Sequence, residues 1–217
     1  MKNNKLEKFL DLNTDHYFKK TKHIILKNKD MQVTYAVFMR RPVLFCPSLA
    51  IKWLRKIEKI RNTKFNIKMC YNEGEWVGAG EPLMFLSGKF SQLVELETTY
   101  LQLIGPASVA AYNAFKMCSD LPNTAFMAMD ARHCAGAHMH ELMAYGASVG
   151  SNKAKKEVNA KGFIGSSCKS TSYFFKSDHA LGTMPHALIG YAGSTLNAAK
   201  IYYNTFPDEP LTVLVDY

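Results

Sequence analysis

The spacing of apolar residues changes several times along the chain, and each change marks a different kind of element. Leu6, Phe9 and Leu10 share one helical face within residues 1–13. Residues 14–18, Thr-Asp-His-Tyr-Phe, come after a polar turn. From Gln32 to Arg40 polar and apolar residues alternate, with β-branched and aromatic side chains enriched, which predicts a strand. Leu49, Trp53, Ile57 and Ile60 return to helical spacing. Ser48 is a candidate cap, and Lys52, Arg55, Lys56 and Lys59 form a solvated outer face. Ile67, Met69 and Tyr71 alternate again, and Gly74, Gly78, Gly80 and Pro82 punctuate the next stretch of chain. Residues 65–90 therefore read as antiparallel strands with tight turns. Two helices are expected next, over 95–104 and 106–118, the second led by Pro106.

Beyond residues 120–123 the pattern becomes strand, helix, strand. Ala125–Met129 is a short apolar strand, 138–155 is helical, and Phe163-Ile164 runs as a strand into Gly165-Ser166-Ser167. A helical segment near 171–175 precedes Gly182-Thr183-Met184-Pro185-His186, a helix is expected over 187–203, and Leu211–Val215 reads as a buried strand. Alternating strands and helices predict parallel β-α units, with polar residues gathered just after each strand, where α/β barrels place their chemistry. The expected organisation is α/β: an N-terminal α/β sandwich domain over 1–121, then a partial barrel, the first half of an incomplete TIM-like α/β barrel, over 122–217.

Composition narrows the function classes. The chain has 217 residues and a formal charge of +9, but its lysines are spread rather than clustered with aromatics, so nucleic-acid binding is not expected. The lack of a long apolar run argues against a membrane span, and the mixed-charge start argues against a signal peptide. Five scattered cysteines without a CxxC pair suit reduced thiols in a cytoplasmic protein.

His186 is the leading chemical candidate. It follows a Gly-Thr pair at an expected strand end and precedes an apolar helix, so it would face the barrel mouth beside amides that favour anions; it could serve as base or nucleophile, or equally be a hydrogen-bonded structural residue. Asp130 and Arg132 close a barrel-like strand, as site residues or as a salt-bridged strand end. His133, His138, His140 and Glu141 raise a metal site, but on a helix positions 138 and 140 point to different sides, and no metal is expected. The 74–83 segment resembles carrier-domain hairpins, yet no lysine occupies its turn.

Thr14-Asp15-His16-Tyr17, Phe38-Met39-Arg40-Arg41, Gly80-Glu81-Pro82-Leu83, Glu95-Leu96-Glu97-Thr98, Gly165-Ser166-Ser167 and Gly182-Thr183-Met184-Pro185-His186-Ala187-Leu188 together resemble, in order, motifs of the nicotinate phosphoribosyltransferase family. The resemblance implies transfer of phosphoribosyl from phosphoribosyl pyrophosphate to nicotinate in NAD biosynthesis, with ATP and Mg as co-substrates. It implies that His186 is phosphorylated by ATP and that Tyr17 and Thr183 contact nicotinate. With the strand-end argument it makes Arg132 and Ser167 substrate-binding residues. It further implies a homodimer in which the N-terminal tyrosine can work in the partner's site. The family's later RxDSGD-like motif and glycine-rich phosphate loop have no counterpart by residue 217, so a truncated or split form, completed by a second half-chain, is expected. A catalytically inactive remnant or interaction partner of a second half-chain, and a nicotinamide- or quinolinate-using relative, are the alternatives.

Overall fold

The computed structural model describes residues 2–182 and 184–217. Two helices open it, α1 (Lys2–Asn13) and α2 (His16–Lys27). They are followed by β1 (Gln32–Phe38), β2 (Val43–Leu44), α3 (Ser48–Arg61), β3 (Asn66–Met69), β4 (Trp76–Val77) and β5 (Pro82–Lys89). The antiparallel sheet has the order β1-β5-β3, with Tyr35 opposite Leu86 and Val37 opposite Met84; β2 and β4 form a separate antiparallel pair. β5 is central and carries Leu83, Met84 and Leu86 inward. α3 turns Leu54 and Ile57 onto the same core, and its end is closed by Asn62 in the left-handed region.

A short helix α4 (Phe90–Leu93) and a 3-10 turn lead into α5 (Glu97–Asp120), which runs unbroken through Pro106. The expected pair of helices is therefore one. Proline forfeits one backbone hydrogen bond, and in a helix interior it costs about 3 kcal/mol. Here Tyr100, Leu103 and Ile104 before it, and Ala107 and Ala111 after it, bury themselves in one continuous core, and their packing overrides the break.

The second part contains β6 (Ala125–Ala128), α6 (Ala137–Val158), β7 (Gly162–Ser166), α7 (Lys169–Ser172), α8 (His186–Ala192) and α9 (Thr195–Thr205). β6 and β7 pair in parallel across α6, the strand–helix–strand unit that opens an α/β barrel. The fold is thus an N-terminal α/β sandwich followed by the opening part of a barrel. α6 lies close along α5 because Gly146 and Gly150 face its backbone: a Cβ at Gly150 would sit 2.1 Å from the Ala111 carbonyl oxygen, and one at Gly146 2.3 Å from that of Ala107. Ala114, Cys118, Ala128, Ala154 and Phe163 fill the small core between these helices and the parallel strands.

Four local expectations are corrected. Ser48 is not a cap: it begins α3 behind Pro47, and its hydroxyl donates to the Glu73 carboxylate. Residues 16–27 form a helix where no element was expected; the apolar signal there is thin, with Phe18 and Ile25 seven apart. The helix expected over 187–203 is two, because Gly193 at φ +78 closes α8 and the Ser194 hydroxyl accepts the Asn197 amide at the start of α9. Leu211–Val215 is not a strand. Leu211 and Leu214 pack against the Met184, Ile189 and Ala198 cluster, a spacing of three that leaves Val213 and Val215 exposed, and among the described residues no strand lies beside the segment to pair with it. All five cysteines are free, and no helix among the described residues is long and apolar enough to cross a membrane.

Candidate active site

The ends of β6 and β7 form a polar rim. After β6, Asp130 precedes a 3-10 turn, Ala131–His133, which carries Arg132. One Asp130 oxygen accepts the Cys134 thiol at 3.4 Å. Burial, and then the Asp130 carboxylate, push that thiol up to about 11, so it stays protonated and donating near neutral pH. The other Asp130 oxygen is buried without a hydrogen-bond partner, and His140 Nε2 lies 3.9 Å from it. After β7, the Ser167 amide donates to the Ala128 carbonyl at 2.9 Å, which locks the second loop to the end of the first strand. The Ser166 hydroxyl, fully buried, accepts the Cys168 amide and bonds Thr171 Oγ1 at 2.8 Å.

The chain then returns to this rim. The Leu181 amide donates to the Ser166 carbonyl at 2.8 Å, which sets Leu181 and Gly182 beside the end of β7. Among the described residues no strand forms here, so His186 does not sit at the strand end expected for it, and Met184 is the buried anchor of the return. His186 comes next as the first residue of α8, with its side chain half exposed, and its Nε2 meets Asp216 Oδ1 at 2.8 Å. That hydrogen bond from His186 is the main reason the Asp216 carboxyl is held below the usual carboxylate range. The Tyr217 ring lies 5.8 Å from the imidazole, centre to centre. Sequence reasoning missed Asp216. Its only signal was a carboxylate just after an apolar run that reads as a strand.

Among the described residues no hydrogen bond or ion pair joins His186 to Arg132 or Ser167. Thr183 lies outside the described residues. His138 is exposed on α6 while His140 is buried, and among the described residues no group of three or more metal-binding side chains is placed to hold an ion.

Tyr17 stands apart from this rim, on the first turn of α2, 60% exposed and packed on Phe18. Its phenol is raised above the usual range, first by burial and then by the nearby Asp15 and Glu97 charges. The surrounding motifs lock together in pairs. Thr14 donates to the Glu95 carbonyl, and Asp15 accepts the Thr98 hydroxyl at 2.8 Å, so the 14–17 and 95–98 segments are one structure. Gly80 donates its amide to the Met39 carbonyl at 2.8 Å, which joins the 80–83 and 38–41 segments and leaves Arg40 and Arg41 exposed. A cavity of about 720 Å³ lies elsewhere, between α3, the 72–75 turn and α6. Glu73 in its wall already accepts Ser48 and Tyr145, and none of the expected site residues lines it.

Residues 15–108 match the family described as quinolinate phosphoribosyl transferase, N-terminal domain. No curated protein matches the chain. Among solved structures it is similar to a nicotinate-nucleotide pyrophosphorylase from Pyrococcus furiosus, with a TM-score of 0.72 at 23% identity over 94% of this chain and 49% of that one. Human nicotinic acid phosphoribosyltransferase gives 0.61 at 19% identity over 83% and 41%. A nicotinate-nucleotide pyrophosphorylase from Francisella tularensis gives 0.56 at 14%, over 93% and 66%. These likenesses establish the fold. The family matched by sequence is the quinolinate one, a relative of the nicotinate family whose motifs the chain resembles, and a nicotinate enzyme is among the similar structures. The chain spans about half the length of the first two structures.

Proposed function

We propose that the chain supplies the sandwich domain and first barrel units of a pyridine-base phosphoribosyltransferase of NAD biosynthesis, with nicotinate as the base. The observation that carries this reading is His186, at the start of α8 in a segment hydrogen-bonded to the end of β7, with a carboxylate fixed on its Nε2. A carboxylate there orients the imidazole and stabilises positive charge on it, which suits a histidine that accepts and releases a phosphoryl group, the role the motif resemblance implies. ATP, with Mg, would provide that group. Arg132 and Ser167 would meet anionic oxygens of the phosphoribosyl donor at the rim, Thr183 would contact the base, and Tyr17 would do so in a partner protomer's site. A homodimer, or a second polypeptide carrying further barrel strands, completes this arrangement.

Quinolinate is the second reading, favoured by the family matched over residues 15–108. The test is incubation with phosphoribosyl pyrophosphate, ATP–Mg and one pyridine base at a time, with and without a polypeptide supplying further barrel strands. Nicotinate mononucleotide made from nicotinate only in the completed mixture is the expected result. Product from quinolinate and none from nicotinate reverses the choice of base. No product from any base in a folded, completed mixture leaves the inactive-remnant alternative.

A further inference from the structure

His140 belongs to neither the motifs nor the proposed site residues, yet it lies between the two rim loops. It is 6% exposed, and its neighbours Thr171 and Ser166 are more deeply buried. Its Nε2 is 3.3 Å from Thr171 Oγ1 on one side and 3.9 Å from the unpartnered Asp130 oxygen on the other. A buried carboxylate oxygen without a donor is costly, and Cys134 already serves the other oxygen. Thr171 can spend its proton on the Cys168 carbonyl or on Ser166, leaving a lone pair toward the imidazole. With hydrogen on Nε2 the imidazole donates to Thr171 Oγ1, and the same edge of the ring faces the Asp130 oxygen at 3.9 Å, near it but beyond hydrogen-bond reach. The result is a hydrogen-bonded run, His140–Thr171–Ser166–Cys168 amide, that closes around Ser167 and abuts, at 3.9 Å, the Asp130 carboxylate two residues before Arg132.

We infer that His140 is a positioning residue: through Nε2 it holds the loop after β6 and the loop after β7 at a fixed separation, so that Arg132 and Ser167 meet the same phosphoryl-type anion. This rests on reading the rim as an anion site. The chemistry recognised is that of a pyrophosphate or phosphate ester, for which two donors on separate loops bind well only if their spacing is fixed beforehand.

The test uses the purified chain, inorganic pyrophosphate as probe, and two-dimensional ¹H–¹⁵N spectra with signals assigned for Arg132 and Ser167. His140→Gln places an amide N–H near the position of Nε2. His140→Leu removes it. Thr171→Val, nearly isosteric, breaks the chain from the other side and guards against a misfolded leucine variant. The expected result is that pyrophosphate shifts both signals in the wild type and in the glutamine variant. Affinity falls tenfold or more in the leucine and valine variants, and Thr171→Val also perturbs the Arg132 signals without ligand. Unchanged affinity in folded leucine and valine variants overturns the positioning role and leaves the anion site standing. Absence of pyrophosphate binding in the wild type, or binding that survives Arg132→Ala, overturns the anion-site reading and this inference with it.

Discussion

Arg61, at the last turn of α3, reaches back to bind Glu7 of α1 through two nitrogens, at 2.9 and 3.0 Å, and also contacts Glu95 at 3.2 Å. Burial alone would lower the guanidinium, but these carboxylates hold it raised, and in return its hydrogen bonds keep the Glu7 carboxyl low. A carboxyl lowered in the folded state adds stability that is present above its unfolded value of 4.5 and is lost as pH falls through the folded one. Glu7→Gln should therefore reduce the loss of stability on acidification below about pH 4.5, read as urea midpoints across pH, while changing little that depends on pH near 7. Equal acid sensitivity in both proteins would show that Glu7 contributes nothing to it. The same sign applies to Asp216: its contact with His186 should persist above the ordinary carboxyl value and open as pH falls through the lowered one, visible in the Tyr217 ring signals. On the proposed function, His186→Ala should abolish acid-labile phosphate taken from ATP, and Asp216→Asn should cut it by about a hundredfold or more, because the imidazole loses the carboxylate that orients it and supports its charge. Labelling that survives His186→Ala would end the phosphohistidine reading.

At the scale of elements, the join between the sandwich and the barrel strands rests on α5 against α6. Its close approach depends on two glycines one turn apart, Gly146 and Gly150. A methyl at Gly150 meets backbone on the opposite helix, which cannot swing aside as a side-chain tip would, so the helices must separate. Overpacking of this kind costs about 1–3 kcal/mol, and each kcal/mol lowers Tm by roughly 2–4 °C in a chain of this size. Gly150→Ala should thus lower Tm by several degrees, whereas Gly182→Ala, where an added Cβ meets nothing within 4 Å, should not. A Tm unchanged by Gly150→Ala would mean that the two helices have room to part at no cost. Tyr145 on α6 adds a polar tie across the same region, accepting the Ser48 amide and donating to Glu73.

For the whole molecule, the α8–α9 pair with the 206–217 tail has its own small core around Met184, Ile189 and Ala198. It leaves large apolar side chains in water: Tyr191 is 81% exposed and Val215 86%, with Leu196 and Tyr203 also open, and Ile164 faces out from β7. A surface with this much uncovered apolar area favours association. The chain by itself is expected to show an apparent mass that rises with concentration in light scattering, and Tyr191→Ser with Leu196→Ser should reduce the rise. A constant monomer mass at high concentration would count against it. The exposed helical and strand faces, and not an edge at 211–215, are the expected cause.

The order of elements was legible from spacing because burial on one face repeats every two or every three to four residues. β1 and α3 obey that rule, whereas β6 and β7 were legible only as short apolar runs on either side of a helix. Glycine and proline were legible only as local punctuation. Pro106 reads as a helix start, and only the shared core on both sides of it keeps α5 whole. The apolar run at 211–215 reads as a strand, but a strand exists only where another backbone offers hydrogen bonds, and the sequence does not record whether one is there. The motif segments could be found one by one. That 14–17 clasps 95–98, that 80 binds 39, and that Asp216 meets His186 from thirty residues away were decided by the tertiary structure. Sequence by itself determined which residues could be buried and which could carry charge or donate protons. Which of them meet was left to the packing, because contacts between distant residues form only once the elements have closed on a common core.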